Sequence, residues 1–226
     1  MNFKQILISS LFALTSSQAA ILFTAEAAGV QSTSVVGATT ENFNLLPVGA
    51  LGNYSSVIGN YTSGATIVTA NAFGGSNQTQ YISVGAQSGT LTYSINFFED
   101  LTYFGFYWGA GDAQNEVRFF NNGNLVQAFR VGDILATLSS DYNGNPNTGQ
   151  NKSEKYAYLN FTTTGNTRFD QVVFHNDSKG TGFETDNHSI FNQPLIPGND
   201  PTPTPEPATY AMVGAACIAL AYMRRR

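Results

Sequence analysis

The chain has 226 residues, 42% of them hydrophobic and only 11% charged, with a formal net charge of −5. Between Gly29 and Asp200 thirteen acidic side chains stand against six basic ones, a balance that repels nucleic acid and anionic membrane surfaces and excludes both as partners of this region. Its polarity comes instead from Asn, Gln, Ser, Thr and Gly, a surface chemistry suited to sugars and to an exported protein.

The first segment, residues 1–28, reads as an export leader with a short signal helix. Lys4 supplies a small positive charge, Ile6 to Leu14 is mostly apolar, and small residues follow. Ala25-Glu26-Ala27 fits the pattern of small side chains flanking a cleavage site, which places the cut after Ala27 or Ala28. The earlier Ser17-Gln18-Ala19 is disfavoured because it leaves the apolar Ile21-Leu22-Phe23 at the mature terminus. An uncleaved anchor is the alternative; Thr15, Ser16, Ser17 and Gln18 interrupt the apolar run and argue against it.

Residues 29–193 amount to one domain of about 165 residues, enough for a real core. No long stretch carries a 3.6-residue apolar period. Short β-branched and aromatic runs recur between Gly- and Asn-rich breaks, and these predict strands at Ala65–Ala70, Thr79–Val84, Thr90–Phe98, Thr102–Trp108, Glu116–Asn121, Leu125–Val131, Tyr156–Thr162, Phe169–His175 and Thr181–Phe191. Leu91, Tyr93, Ile95 and Phe97 face one way, with Thr92, Ser94 and Asn96 the other. Asn121-Asn122-Gly123-Asn124 is a hairpin signal, since Asn and Gly tolerate the positive φ of tight strand turns. Hairpins with one apolar face must pack sheet on sheet or close into a barrel, and the fold expected is an all-β antiparallel β-sandwich of jelly-roll type. The single cysteine, Cys217, lies beyond this domain, so no disulfide can brace it.

From Pro194 the run PLIPGNDPTPT reads as a semi-rigid extended linker, residues 194–204. Pro205-Glu206-Pro207 follows, then the nearly charge-free Ala208–Met223, then Arg224, Arg225 and Arg226. Sixteen helical residues reach about 24 Å, short of the roughly 30 Å hydrocarbon core, so the segment 205–226 holds a marginal transmembrane helix whose arginines stay cytoplasmic. A permanent single-span anchor is the plain reading of that composition. Motif, helix and basic cluster in this order resemble the PEP-CTERM sorting signal of exopolysaccharide-producing Gram-negative bacteria. The resemblance implies recognition of Pro205, Glu206, Pro207 and the Arg224–Arg226 cluster by an exosortase-type transpeptidase. It also implies transient residence in the inner membrane and release to the cell surface or extracellular matrix.

The body carries a second, looser resemblance. Phe104-Gly105-Phe106-Tyr107-Trp108-Gly109, then Asn115-Glu116-Val117-Arg118-Phe119-Phe120, and the ending Phe169-Asp170-Gln171-Val172-Val173-Phe174 with Phe183-Glu184-Thr185-Asp186-Asn187, resemble strands of galactose-binding-like jelly rolls found in carbohydrate-binding modules. In such modules the first and last strands lie side by side and calcium often ties them. The likeness therefore implies a structural Ca²⁺ held by Glu41 and Asp186, with Glu184 as a further ligand, because calcium takes six to eight hard oxygens. Solvated carboxylates at strand ends are the alternative.

Aromatic rings stack on the C–H faces of sugars, and Tyr103, Tyr107, Trp108, Tyr142, Tyr156 and Tyr158 are candidates for such a platform. Trp108, before the loop containing Asp112, and Tyr142, in the Asn/Gly-rich loop from Ser139 to Gln150, are best placed, with Asp112 as a contact to sugar hydroxyls. Core packing is the competing role for Trp108, and loop structure for Tyr142. Catalytic patterns are weaker: His175 and His188 lack metal-ligand spacing, and Glu99-Asp100 reads as a turn. The expectation is an exported, non-enzymatic protein associating with exopolysaccharide. The alternatives are a structural or adhesive subunit of a biofilm or appendage, and a glycan hydrolase.

Overall fold

Aromatic and β-branched side chains fit a pleated, packed surface, and the Gly- and Asn-rich breaks between them become turns. The computed structural model describes residues 20–74 and 78–192. Its early strands are Ile21–Ala25 (β1), Thr39–Glu41 (β2), Gly49–Ala50 (β3), Tyr54–Ser55 (β4), Gly59–Tyr61 (β5) and Thr66–Val68 (β6). Longer ones follow: Tyr81–Gly85 (β7), Thr92–Leu101 (β8), Tyr103–Gly109 (β9), Asn115–Asn121 (β10) and Asn124–Arg130 (β11). After a short helix, Val131–Leu135 (α1), come Ala157–Thr163 (β12), Phe169–Asn176 (β13) and Gly182–Phe191 (β14).

Among the described residues these build two antiparallel sheets that pack as a sandwich. The larger has eight strands in the order β1-β12-β9-β14-β7-β6-β3, with β2 pairing on β14; the smaller has six, β11-β10-β13-β8-β5-β4. Phe104, Phe106 and Phe161 from the larger sheet meet Phe119, Phe169 and Phe174 from the smaller in one core. Phe106 and Phe174 rings stand edge to face at 5.1 Å, a favoured aromatic geometry. The alternation expected in β8 holds, with Tyr93, Ile95 and Phe97 buried and Thr92 exposed. At the β10–β11 hairpin Asn122 and Gly123 take φ of 48° and 77°, as two-residue strand turns require. Glu99 and Asp100 differ from expectation: they are exposed residues inside β8, and the turn falls at Thr102.

The larger sheet is buried on both faces. All seven residues of β9 are buried, with Phe104, Phe106 and Trp108 in the inter-sheet core. Tyr103 and Tyr107 point the other way, alongside Tyr158 of β12. Chain segments cover this outer face. Thr33 Oγ1 lies 2.5 Å from the Tyr103 hydroxyl, Asn187 Nδ2 donates to Gln31 O at 2.9 Å, and the Tyr81 hydroxyl donates to Ala72 O at 2.7 Å. Burial of these phenols is tolerable because each finds a partner: Tyr103 donates to Asn160 Oδ1 at 2.6 Å and Tyr158 to Ser189 Oγ at 2.8 Å.

β1 belongs to this unit. It pairs with β12 over five residues, and Ile21 is 1% exposed, so the domain boundary expected at Gly29 runs through the folded body. The expected linker, the Pro205-Glu206-Pro207 motif, the C-terminal apolar segment and Arg224–Arg226 lie outside the described residues, as does the leader through residue 19. Among the described residues no helix is long and apolar enough to cross a membrane.

The sealed tyrosine face makes one prediction. A Cβ on Gly105 would lie 2.3 Å from the Tyr103 hydroxyl and 2.8 Å from a Tyr158 ring carbon, whereas one on Gly132 in α1 meets nothing closer than 3.9 Å. Gly105→Ala is expected to cost about 1–3 kcal/mol in denaturant unfolding and Gly132→Ala to be neutral or mildly stabilising. Equal midpoints for Gly105→Ala and the parent protein would mean that the outer face is not closed.

Candidate functional site

The long connection from β11 to β12 builds a cleft. Ser139 accepts the Asp141 N–H and opens a turn of 3₁₀ helix over Ser140–Tyr142. Asn143 then bridges to Lys155, the Gly144 N–H donates to Glu154 O at 2.8 Å, and the Asn145 N–H donates to Gln150 O at 2.8 Å. Asn145 Oδ1 accepts the N–H groups of Asn147 and Thr148 at 3.0 and 3.1 Å, the local competition with regular structure that makes Asn a loop former. Lys155 Nζ pins the other side by donating to Leu138 O and Ser139 O at 2.8 and 2.5 Å.

Between these segments lies a cleft of about 480 Å³, lined by the nearly buried Tyr142 and Tyr156, by Asp141, Asn143, Asn145 and Lys152, and by Ala28 and Gly29. The Tyr142 hydroxyl donates to Glu26 O at 2.8 Å, which fixes the ring against the N-terminal segment. Asp141, Asn143 and Lys152 are exposed. A carboxylate accepts, an ammonium donates and an amide does both, so these three can bracket a polyhydroxylated ligand while ring edges supply apolar contact. A second groove of about 390 Å³ beside Tyr54, Asn60 and Asn96 on the smaller sheet offers amides and hydroxyls, without a charged side chain among its described lining residues.

Of the residues anticipated as ligand contacts, the structure puts Tyr142 at the cleft and removes Trp108. That indole is fully buried in the inter-sheet core, donates from Nε1 to Asn115 Oδ1 at 3.2 Å, and packs so tightly on Gly111 that a Cβ there would lie 1.9 Å from the ring. Tyr103, Tyr107 and Tyr158 do share a face, but covering segments keep it from ligands. Asp112 is outside the cleft lining; its N–H donates to Asn115 Oδ1 at 3.2 Å, and burial pushes its carboxyl above the ordinary range.

The three carboxylates expected to share a calcium are not brought together. Glu41 stands opposite His188 on the inner side, where its oxygens accept the Phe43 N–H and the Tyr54 hydroxyl, both at 2.9 Å. Asp186 stands opposite Tyr107 on the outer side and accepts from Thr79 Oγ1 at 2.9 Å and the Asn187 N–H at 2.7 Å. Glu184, two residues earlier on the same side, accepts from Gln87 Nε2 at 3.0 Å. The reversal comes from a bulge between Asp186 and Ser189, with Asn187 at φ 50°, which swaps the facing of the strand before it meets β2. Among the described residues no group of three or more His, Cys, Asp or Glu could hold a metal ion.

Lys152, Asn143 and Asn145 carry no motif of their own in the sequence, although they fall in or just beyond the Asn/Gly-rich loop from Ser139 to Gln150. Glu26 was hidden by its place in the expected leader. His188 is a core residue: Tyr61 lies 2.9 Å from Nδ1, Thr185 Oγ1 lies 2.9 Å from Nε2, and the ring stacks on Phe174 at 5.1 Å.

Two buried groups set a pH dependence. Burial, reinforced by Asp112 and Glu154, pushes Glu184 from an ordinary 4.5 up to about 8, while burial pushes His188 from 6.5 down to about 3. From pH 4.5 to 8 the folded domain keeps a Glu184 proton that the unfolded chain releases, so stability falls as pH rises. From pH 6.5 down to 3 the unfolded chain takes a His188 proton that the folded domain refuses, so stability falls as pH drops. The slopes cancel between 4.5 and 6.5, and the alkaline limb from 6.5 to 8 is due to Glu184. Glu184→Gln is expected to flatten that limb, worth about 2 kcal/mol, in melting curves taken across the window; an unchanged limb would assign it elsewhere.

No family model, no curated protein and no solved structure matches this chain.

Proposed function

We propose that this chain is an exported, non-enzymatic protein of the cell surface or extracellular matrix of a Gram-negative bacterium. An exosortase-type transpeptidase releases it from the inner membrane, and its sandwich, of jelly-roll type, associates with exopolysaccharide. The addresses at the two ends support the export half of this reading. The observation that carries the binding half is the cleft at Tyr142, where Asp141, Asn143 and Lys152 stand exposed around two tyrosine rings. Among its described lining residues Asp141 is the one carboxylate, whereas glycoside hydrolysis ordinarily uses a pair about 5–9.5 Å apart, so the cleft suits holding a sugar rather than cutting it. The buried Glu41, Asp186 and Glu184 spend their oxygens on neutral donors within the fold.

Sedimentation of the exported protein with purified exopolysaccharide tests the binding half. Asp141→Ala and Lys152→Ala, both at exposed positions, are expected to weaken association about tenfold each, in line with loss of one charged hydrogen bond, and to leave the melting temperature unchanged. Binding that is indifferent to both substitutions would move the ligand off the cleft. Mass spectrometry of the same material tests the sorting half: the exported chain is expected to lack Arg224–Arg226, and recovery with those arginines in place would contradict it.

A further inference from the structure

We infer that the leader is cut after Ala19, so that the mature protein begins at Ala20 and retains β1 as a strand of the sandwich. The inference rests on the export reading above. Ala20 and Ile21, the first residues that such a cut would retain, are already engaged in the fold. Ala20 O accepts the Thr164 N–H at 3.0 Å, and the Ile21 N–H donates to Gln127 Oε1 at 2.8 Å. From there the register with β12 is unbroken, Ile21 opposite Thr163 through Ala25 opposite Leu159. Ile21 is buried, and the Phe23 ring meets Phe129 edge on at 5.9 Å. The apolar Ile21-Leu22-Phe23 that counted against an early cut is thus accounted for by packing rather than by a leader.

Glu26 ties the segment down a second time. Its carboxylate accepts from the Ser34 N–H and Oγ, both at 2.8 Å, and from Asn160 Nδ2 at 3.1 Å. Its own N–H donates to Tyr158 O at 2.9 Å, and its carbonyl accepts the Tyr142 hydroxyl. A cut after Ala27 or Ala28 would discard every one of these contacts. It would leave β12 as an open edge and remove the acceptors that Glu26 offers to the Tyr142 hydroxyl and the Asn160 amide. The sequence meets the needs of the earlier cut equally well: Ser17 and Ala19 are small residues at the two positions flanking Gln18, a few residues after the apolar Ile6–Leu14, in a leader of ordinary length.

The full chain, expressed in an exporting host, supplies the test by N-terminal sequencing of the exported protein. The expected terminus is Ala20-Ile21-Leu22-Phe23. A terminus at Ala28 or Gly29 overturns the inference and leaves export standing; exported protein that still begins at Met1 overturns both the inference and the cleaved leader. Paired substitutions sharpen the result. Ala19→Phe is expected to abolish the mature form, while Ala27→Phe, at an exposed turn position, is processed normally. The opposite pattern overturns the inference.

Discussion

A sheet covered on both sides must satisfy its polar groups twice over, and that constraint organises this protein. The inner face of the larger sheet is an ordinary aromatic core. The outer face is a layer of tyrosines, amides and acids under loops, where every hydroxyl and carboxylate needs a specific neighbour. Without cysteine in the body there is no covalent brace, so the covering segments themselves must hold. The stretch from Ile21 to Thr33 is the main one. It enters as an edge strand, turns at Glu26, and crosses the tyrosines to reach Tyr103.

That arrangement explains why the acids singled out in the sequence are structural. Glu184 and Asp186 sit in the outer layer against Gln87 and Thr79, and Glu41 sits in the inner one against Tyr54. Burial, reinforced by the hydrogen bond to Glu41, pushes the Tyr54 phenol up to about 12. Among the described residues the ion pairs gather away from this layer, where Arg118 and Arg130 surround Glu116 and Asp177 at 2.8–3.6 Å. The cleft opens where the covering ends, at the junction of the N-terminal segment with the loop carrying Tyr142.

Much of the sandwich was legible because its long strands declare themselves by period and composition. β8 alternates from Thr92 to Phe97, the Asn122-Gly123 turn has the residues its dihedrals demand, and β9 reads as a strand from its aromatics alone. What pattern cannot convey is what lies above a face. Tyr103, Tyr107 and Tyr158 stand among the candidate stacking rings in the sequence, yet only tertiary structure shows that they share a face and that it is roofed. β1 is hard to read for a different reason: its apolar stretch beside the expected leader has the same composition whether it is discarded or folded. The calcium set failed at the bulge after Asp186, since a single extra residue reverses facing and leaves no mark that period-two counting detects.

Double burial of the larger sheet is the central constraint on this fold, and alkaline titration of tyrosine absorbance measures it directly. Tyr81, Tyr103 and Tyr158 on the outer face of that sheet, like Tyr61 and Tyr93 in the core between the sheets, are held well above the ordinary phenol range, chiefly by burial. The expected record is a small early amplitude followed by a steep rise that coincides with loss of the folded circular-dichroism signal. A full-amplitude titration centred near pH 10 in protein that is still folded would contradict it.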